Sequence, residues 1–217
     1  MKKVALIVAG GNGQRMNSKI PKQFLFLNNL PILMHTINQF AHFEEIVVVL
    51  PKIQFDYWKG LCENTNFKTP YTLVEGGESR FHSVKNGLAK IDEESNVAIH
   101  DGVRPLISKN LIDNLISQTK KGVGLIPVLP IKDSIRMVEG ENSYHVDRRN
   151  IYQVQTPQCF ISADIKTAYK QEFSKKFTDD ASILENNGGK IVSVLGEIKN
   201  LKITTKEDLR IAEMFMQ

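Results

Sequence analysis

The sequence predicts an α/β fold, a mostly parallel sheet with helices on its faces, and three observations carry that prediction. Short apolar runs such as Val4–Val8 recur along the chain. A run that is apolar at every position reads as a strand buried on both faces, not as one with a wet side. Between the runs, apolar residues fall at helical spacing. The two patterns alternate, which is the order that builds a parallel sheet.

The first strand is Val4–Val8, ending in glycines. Ile32, Leu33, Thr36, Ile37 and Phe40 then form one apolar helical face, and Ile46–Leu50 is the next strand. Val84, Gly87, Leu88 and Ile91 make a second helical face after Ser79, followed by a strand at Val97–Ile99. Leu111, Ile112, Leu115 and Ile116 follow the cap candidate Ser108, with Lys120-Lys121-Gly122 as a stop. Val123–Val128 and Ile191–Leu195 read as further buried strands, and the last helix opens at Thr205 and carries Leu209, Ala212 and Phe215. Thr178-Asp179-Asp180 reads equally as a site element and as a helix start capped by Thr178 or Asp179.

Residues 131–154 break the rhythm. Ser134–Val138 and Tyr144–Val146 look like two strands around Glu139-Gly140-Glu141-Asn142, a projecting arm. It is either a surface excursion or a dimerisation arm, since an isolated two-stranded ribbon is barely stable alone. With no linker or repeat in 217 residues, the expectation is a single Rossmann-like domain over 1–217 with the arm at about 131–154.

Composition excludes several classes. The net charge is +4, with no run of five like charges, so the basic stripe of a sequence-independent nucleic-acid binder is missing. Cys62 and Cys159 lie far apart without C-x-x-C spacing and read as reduced packing residues. The apolar N-terminal run lacks the length and cleavage site of a signal peptide. No stretch approaches the roughly 20 apolar residues of a membrane span. The expectation is a cytoplasmic protein with neither a nucleic acid nor a membrane as partner.

The loop Ala9-Gly10-Gly11-Asn12-Gly13-Gln14-Arg15 follows the first strand, at the sheet's carboxyl edge, where open α/β folds bind ligands. Its glycines let backbone N–H groups approach an oxyanion. No Gly-Lys-Ser/Thr follows, which excludes the Walker loop, and Met16 breaks the dinucleotide fingerprint. Glycines alone also make an ordinary turn, and Arg15 alone could be a solvated charge. Arg15 together with Lys22 in Pro21-Lys22-Gln23 adds two cations a short loop apart, which suits a polyphosphate such as that of a nucleoside triphosphate.

Gly-x-Gly-x-Arg15-Met16 followed by Pro21-Lys22-Gln23 resembles the signature of the sugar-phosphate and polyol-phosphate cytidylyltransferases. Six further blocks fall in that family's order. They are Gly76-Gly77-Glu78-Ser79-Arg80-Phe81-His82-Ser83-Val84, His100-Asp101-Gly102-Val103-Arg104-Pro105, Val146-Asp147-Arg148, Gln155-Thr156-Pro157-Gln158, Thr178-Asp179-Asp180-Ala181 and Asn200-Leu201-Lys202-Ile203-Thr204. The resemblance implies an enzyme that joins CTP to a polyol phosphate with loss of pyrophosphate. The first of these blocks, Gly76 to Val84, and the fifth, extended from Thr178 to Ser182, favour the branch whose acceptor is 2-C-methyl-D-erythritol 4-phosphate, in non-mevalonate isoprenoid synthesis. Ribitol 5-phosphate is the alternative acceptor. A non-catalytic nucleotide-binding regulator is disfavoured because acceptor-side cations are present, and an oxidoreductase because the dinucleotide fingerprint is broken.

By that resemblance Arg15 and Lys22 act on the triphosphate, and Arg148 and Lys202 complete the catalytic set. Ala9, Gly10, Gly11, Gly13, Gly77, Glu78, Ser83, Gly102 and Lys202 contact CTP alongside Arg15 and Lys22. Asp101, Arg104, Ser134, Arg148, Thr178 and Lys202 hold the acceptor. The family's arm crosses a homodimer, so Ser134 and Arg148 would serve the partner subunit's site. Mg2+, or another divalent cation, would be held mainly by phosphates near Asp101, with no site made solely by protein. His100 reads as a packing or orienting residue. Asp101 and Arg104 could also be a structural ion pair, and Gly76-Gly77 a plain turn. The chain has Ala9-Gly10-Gly11 for Ala-Ala-Gly, Gly102-Val103 for Ala-Ala and Ser134 for threonine, which leaves every charged group intact.

Overall fold

The computed structural model describes residues 1–10, 20–92 and 94–217. In chain order the strands are β1 Lys2–Val8, β2 Phe26–Leu27, β3 Leu30–Pro31, β4 Glu45–Leu50, β5 Thr72–Glu75, β6 Ser95–Asp101 and β7 Val123–Pro130. They continue with β8 Ile135–Glu139, β9 Asn142–Val146, β10 Tyr152–Val154, β11 Gln158–Ile161 and β12 Lys190–Leu195. The helices are α1 Ile32–Gln39, α2 Phe55–Asn64, α3 Arg80–Leu88, α4 Lys109–Ser117, α5 Ser162–Ala168, α6 Asp180–Asn186 and α7 Lys206–Phe215.

The main sheet runs β10-β7-β11-β6-β1-β4-β5, with β12 beside β7. β1 pairs in parallel with β4 and β6, β4 with β5, and β7 with β12. β11 is antiparallel to both β6 and β7, and β10 is antiparallel to β7. The continuous apolar runs follow from burial on both faces. Ala5, Ile7, Val48, Leu50 and Ala98 pack with α1 and α4 through Leu33, Ile37, Ile112 and Leu115. Val4, Leu6, Val47, Val49, Val97 and Ile99 pack with α3, α5 and α6 through Val84, Leu88, Ile165 and Ile183.

The helix starts lie where their caps predict. Ser79 accepts from the His82 N–H and Ser108 from that of Leu111. Asp179 and Thr205 each form a reciprocal capping box, with Ser182 and Asp208. Asp179 is therefore the cap of α6, and Thr178 lies outside the helix.

Two expectations are corrected. Ile191–Leu195 forms a strand, but among the described residues β12 has β7 as its one neighbour and runs along the sheet edge. Its burial is accordingly incomplete, and Leu195 is 72% exposed. The arm is also shorter than 131–154. Among the described residues β8 and β9 pair only with each other, whereas Tyr152–Val154 return to the main sheet as β10. The hairpin leaves Met137, Val138 and Tyr144 exposed. No helix among the described residues is long and apolar enough to cross a membrane.

Candidate functional site

β1 and β6 end side by side, with Val8 opposite Asp101. The chain leaves β1 through Ala9 and Gly10. Gly11, Gly13 and Arg15 lie outside the described residues. A 3-10 turn over Lys22–Phe24 faces Ala9. Gln23 Nε2 donates to Ala9 O at 2.8 Å and to Gln54 Oε1 at 2.8 Å. Phe24 is buried and stacks on Trp58 with centroids 5.9 Å apart. Lys22 is thus carried on a turn fixed by its two neighbours.

A cavity of about 240 Å3 opens at this edge. Ala9, Gly10 and Lys22 line one side, Gly77, Glu78 and Ser83 a second, and Asp101 and Lys202 a third. The second wall exists because β5 runs into a turn that the capped α3 follows. Ser83 Oγ accepts from the Gly77 N–H at 3.1 Å and donates to Gly77 O at 3.4 Å. A Cβ at Gly77 would come 2.4 Å from His82 Cβ, so the turn can pass the helix only as glycine. Gly102 does not line the cavity. Its N–H donates to Val8 O at 2.9 Å, and a Cβ there would come 2.7 Å from Ala9 Cβ. It lets β6 close up behind the cavity wall.

The third wall is a charge cluster assembled from three distant segments. Asp101 Oδ2 meets Lys202 Nζ at 3.0 Å and accepts from Arg104 Nε at 3.3 Å. Arg104 Nη1 donates to Asn200 O at 2.8 Å, and Asn200 Nδ2 donates to Thr156 O at 2.8 Å. The Ile203 N–H donates to Val103 O at 2.9 Å, which seats Lys202 over Asp101. Burial alone would raise the Asp101 carboxyl, but Lys202, Arg80 and Arg104 hold it well below the usual carboxylate range. It stays ionised at every working pH.

His100 is fully buried beneath this cluster. Its Nε2 lies 3.1 Å from Arg104 O, and a carbonyl can only accept, so Nε2 carries the proton. Nδ1 therefore accepts from Thr156 Oγ1 at 3.1 Å, and Thr156 Oγ1 accepts from the Asp101 N–H at 3.0 Å. In the neutral imidazole that burial favours, Nδ1 is the acceptor for the Thr156 hydroxyl hydrogen. Burial pushes His100 down to about 4, against the opposing bond to the Arg104 carbonyl. The unfolded chain, at an ordinary 6.5, takes up this proton first as the pH falls. The stabilisation is complete above that value and is lost as the pH drops toward about 4, by about 3 kcal/mol. Denaturant melts at pH 7 and pH 4.5 should differ accordingly, and His100→Asn should flatten that limb. An unchanged limb would remove His100 from the account.

Arg80 also lines the cavity. It forks onto Asp180, Nη1 to Oδ1 at 2.8 Å and Nη2 to Oδ2 at 2.6 Å, and its Nε lies 3.7 Å from Asp101 Oδ1. The sequence shows Arg80 within the Gly76–Val84 block without marking a role for it. Its place one turn before Ser83 on α3 was the available signal.

Three expected residues lie elsewhere. Ser134 and Arg148 are exposed at the base of the arm, where Arg148 donates to Lys132 O. Arg149 pairs with Asp147 at 2.5 Å, so of the two arginines it is the one already committed to a carboxylate. Thr178 is exposed ahead of α6 and does not line the cavity. Among the described residues no group of three His, Cys, Asp or Glu could hold a metal ion.

Residues 3–217 match the family model described as 2-C-methyl-D-erythritol 4-phosphate cytidylyltransferase. A protein of that name from Azobacteroides pseudotrichonymphae is 46% identical over 217 residues, covering 97% of each chain. Another from Porphyromonas gingivalis is 43% identical, covering 99% of this chain and 98% of its own. Among solved structures, 4-diphosphocytidyl-2C-methyl-D-erythritol synthase from Anaerococcus prevotii is similar with a TM-score of 0.81 at 28% identity, over 100% of this chain and 96% of that one. The 2-C-methyl-D-erythritol 4-phosphate cytidylyltransferase of Francisella tularensis is similar at 0.81 and 30% identity, over 99% of both chains.

Proposed function

The chain belongs to the 2-C-methyl-D-erythritol 4-phosphate cytidylyltransferase family of nucleotidyltransferases, and from that premise we propose how its residues divide the work. CTP lies along Ala9, Gly10, Gly77, Glu78 and Ser83, with Lys22 and Arg15 on the triphosphate. 2-C-methyl-D-erythritol 4-phosphate lies against Asp101, Arg104 and Lys202. The products are 4-diphosphocytidyl-2-C-methyl-D-erythritol and pyrophosphate, a step of non-mevalonate isoprenoid synthesis. The supporting observation is one cavity with a backbone-lined wall facing a cationic cluster, and Lys22 beside both.

A phosphate monoester has a second pKa of about 6 and is largely dianionic near neutral pH. Its oxygen attacks the α-phosphorus, the bond from that phosphorus to the bridging oxygen breaks, and pyrophosphate leaves with the electron pair. No proton has to be removed, so charge compensation and positioning carry the rate. Asp101 holds Lys202 at the cavity without neutralising the whole cluster, because Arg104 and Arg80 add two more positive charges.

The donor set fits a divalent ion carried in on phosphate oxygens. Asp101 and Glu78 are the acidic groups on the cavity wall, and Asp101 is already engaged by cations. Mg2+ would sit near Asp101, and when bound it supplies further neutralisation of the triphosphate.

Gly77→Ala should raise the KM for CTP about ten-fold, since the added methyl must move the turn against His82. Steady-state kinetics read this, and an unchanged KM for CTP would take that wall out of the nucleotide site. The arm, with Met137, Val138 and Tyr144 exposed, would join two copies and deliver Ser134 and Arg148 to the partner subunit's site. Inactive Arg148→Ala and Lys22→Ala proteins, mixed until subunits exchange, should then recover about a quarter of parental activity, because half the dimers carry one intact site. No recovery after proven exchange would show that each site is built within one chain. Because CTP is made there, we locate the protein in the cytoplasm.

The decisive experiment is an acceptor screen with CTP, ATP, GTP and UTP, read by pyrophosphate release. CTP with 2-C-methyl-D-erythritol 4-phosphate should be the fastest pair. Faster use of ribitol 5-phosphate would replace the acceptor, and no release with any pair would leave a nucleotide binder.

A further inference from the structure

We propose that Arg80 is a positioning residue for the acceptor phosphate, acting through Asp101; this rests on the division of the pocket proposed above. The carboxylate of Asp101 has two sides. Oδ2 is taken by Arg104 Nε at 3.3 Å and Lys202 Nζ at 3.0 Å, whereas Oδ1 faces Arg80 Nε at 3.7 Å. Arg80 is therefore the counterweight that keeps the carboxylate from turning wholly toward Lys202. If it turned, Lys202 would be held more tightly and offered less to an incoming phosphate.

The hold on Arg80 comes from behind. Asp180 is entirely buried, takes both guanidinium arms, and also accepts from the Tyr169 hydroxyl at 2.6 Å. Burial works against the charge on Arg80, and Asp180 more than offsets it, leaving the guanidinium above its ordinary value. Asp180 opens α6 and Asp101 closes β6. A planar fork can satisfy one carboxylate with two nitrogens and turn the third nitrogen to another, whereas an ammonium point charge cannot. Arg80 thus ties the first turn of α3, which follows the nucleotide wall, to the carboxylate on the acceptor side.

The test separates this role from simple support of the fold. In a triple variant, Arg80→Met with Asp180→Leu and Tyr169→Phe, the polar triad is removed together, and Asp101, the further partner of Arg80, keeps Lys202 and Arg104. Its melting temperature should stay close to the parent's, since apolar replacement of a buried ion pair is often neutral. Its KM for the acceptor should rise about ten-fold or more, with the KM for CTP moving less than about three-fold. Arg80→Lys, which keeps the charge and loses the fork, should show the same split and decides the matter if the triple variant does not fold. A parental acceptor KM in a folded variant would overturn the proposal. Absence of turnover in the parent itself would instead overturn the functional reading beneath it.

Discussion

Lys22→Ala should lower turnover by about 10²–10³-fold while the protein stays folded. The attacking and receiving groups are both anionic, so a cation in the proposed triphosphate position of Lys22 would act where negative charge grows. Lys22 is half-buried on a turn whose stability comes from its neighbours. Gln23 ties that turn to Ala9 and Gln54, and Phe24 packs into the aromatic cluster around Trp58. Removing the Lys22 side chain leaves those anchors in place. The loss should therefore appear in pyrophosphate release and not in the thermal melt. Near-parental turnover would assign the charge compensation to other groups.

Asp180→Ala should cost about 2–3 kcal/mol of stability, toward the low side of what breaking a buried pair costs. Asp180 is entirely buried and accepts from Arg80 twice and from Tyr169 once. Alanine strands a guanidinium and a phenol together. The discount reflects Arg80, whose side chain is 32% exposed and recovers some hydration. For a chain of this size the melting temperature should fall by about 5–10 °C. A melt within a degree of the parent would show that water replaces the carboxylate without loss.

The parallel core was legible because double-sided burial writes itself as unbroken apolar runs, and the caps Ser79, Ser108 and Thr205 were legible from residue type. The same rule misread Ile191–Leu195. An apolar run records residue type, not the number of neighbouring strands, and β12 is an edge. α2 gave no period because Trp58 is its one fully buried residue. β11, four residues containing Gln158 and Cys159, was too short to announce itself.

At the site, the residue types were legible but their joints were not. Asp101, Arg104 and Lys202 were expected as a group. The bonds that gather them run through Asn200 to Thr156 and through His100, across separations of 44 and 56 residues. Arg80 was passed over for a related reason, because its partner Asp180 lies 100 residues away.

The antiparallel β11 also sets an order of assembly. β6 and β7 are joined through it, so a growing chain that has delivered β7 has nowhere to dock it. The β6-β1-β4-β5 half can form on the ribosome first, while the edges of β6 and β7 wait unpaired, an open invitation to association with other nascent chains. Gln155 and Thr156, which pin Asn200, emerge just ahead of β11. The cationic end of the pocket is thus completed last, after nearly the whole polypeptide has been synthesised, and a truncated product would inherit the wall of Gly77, Glu78 and Ser83 without it.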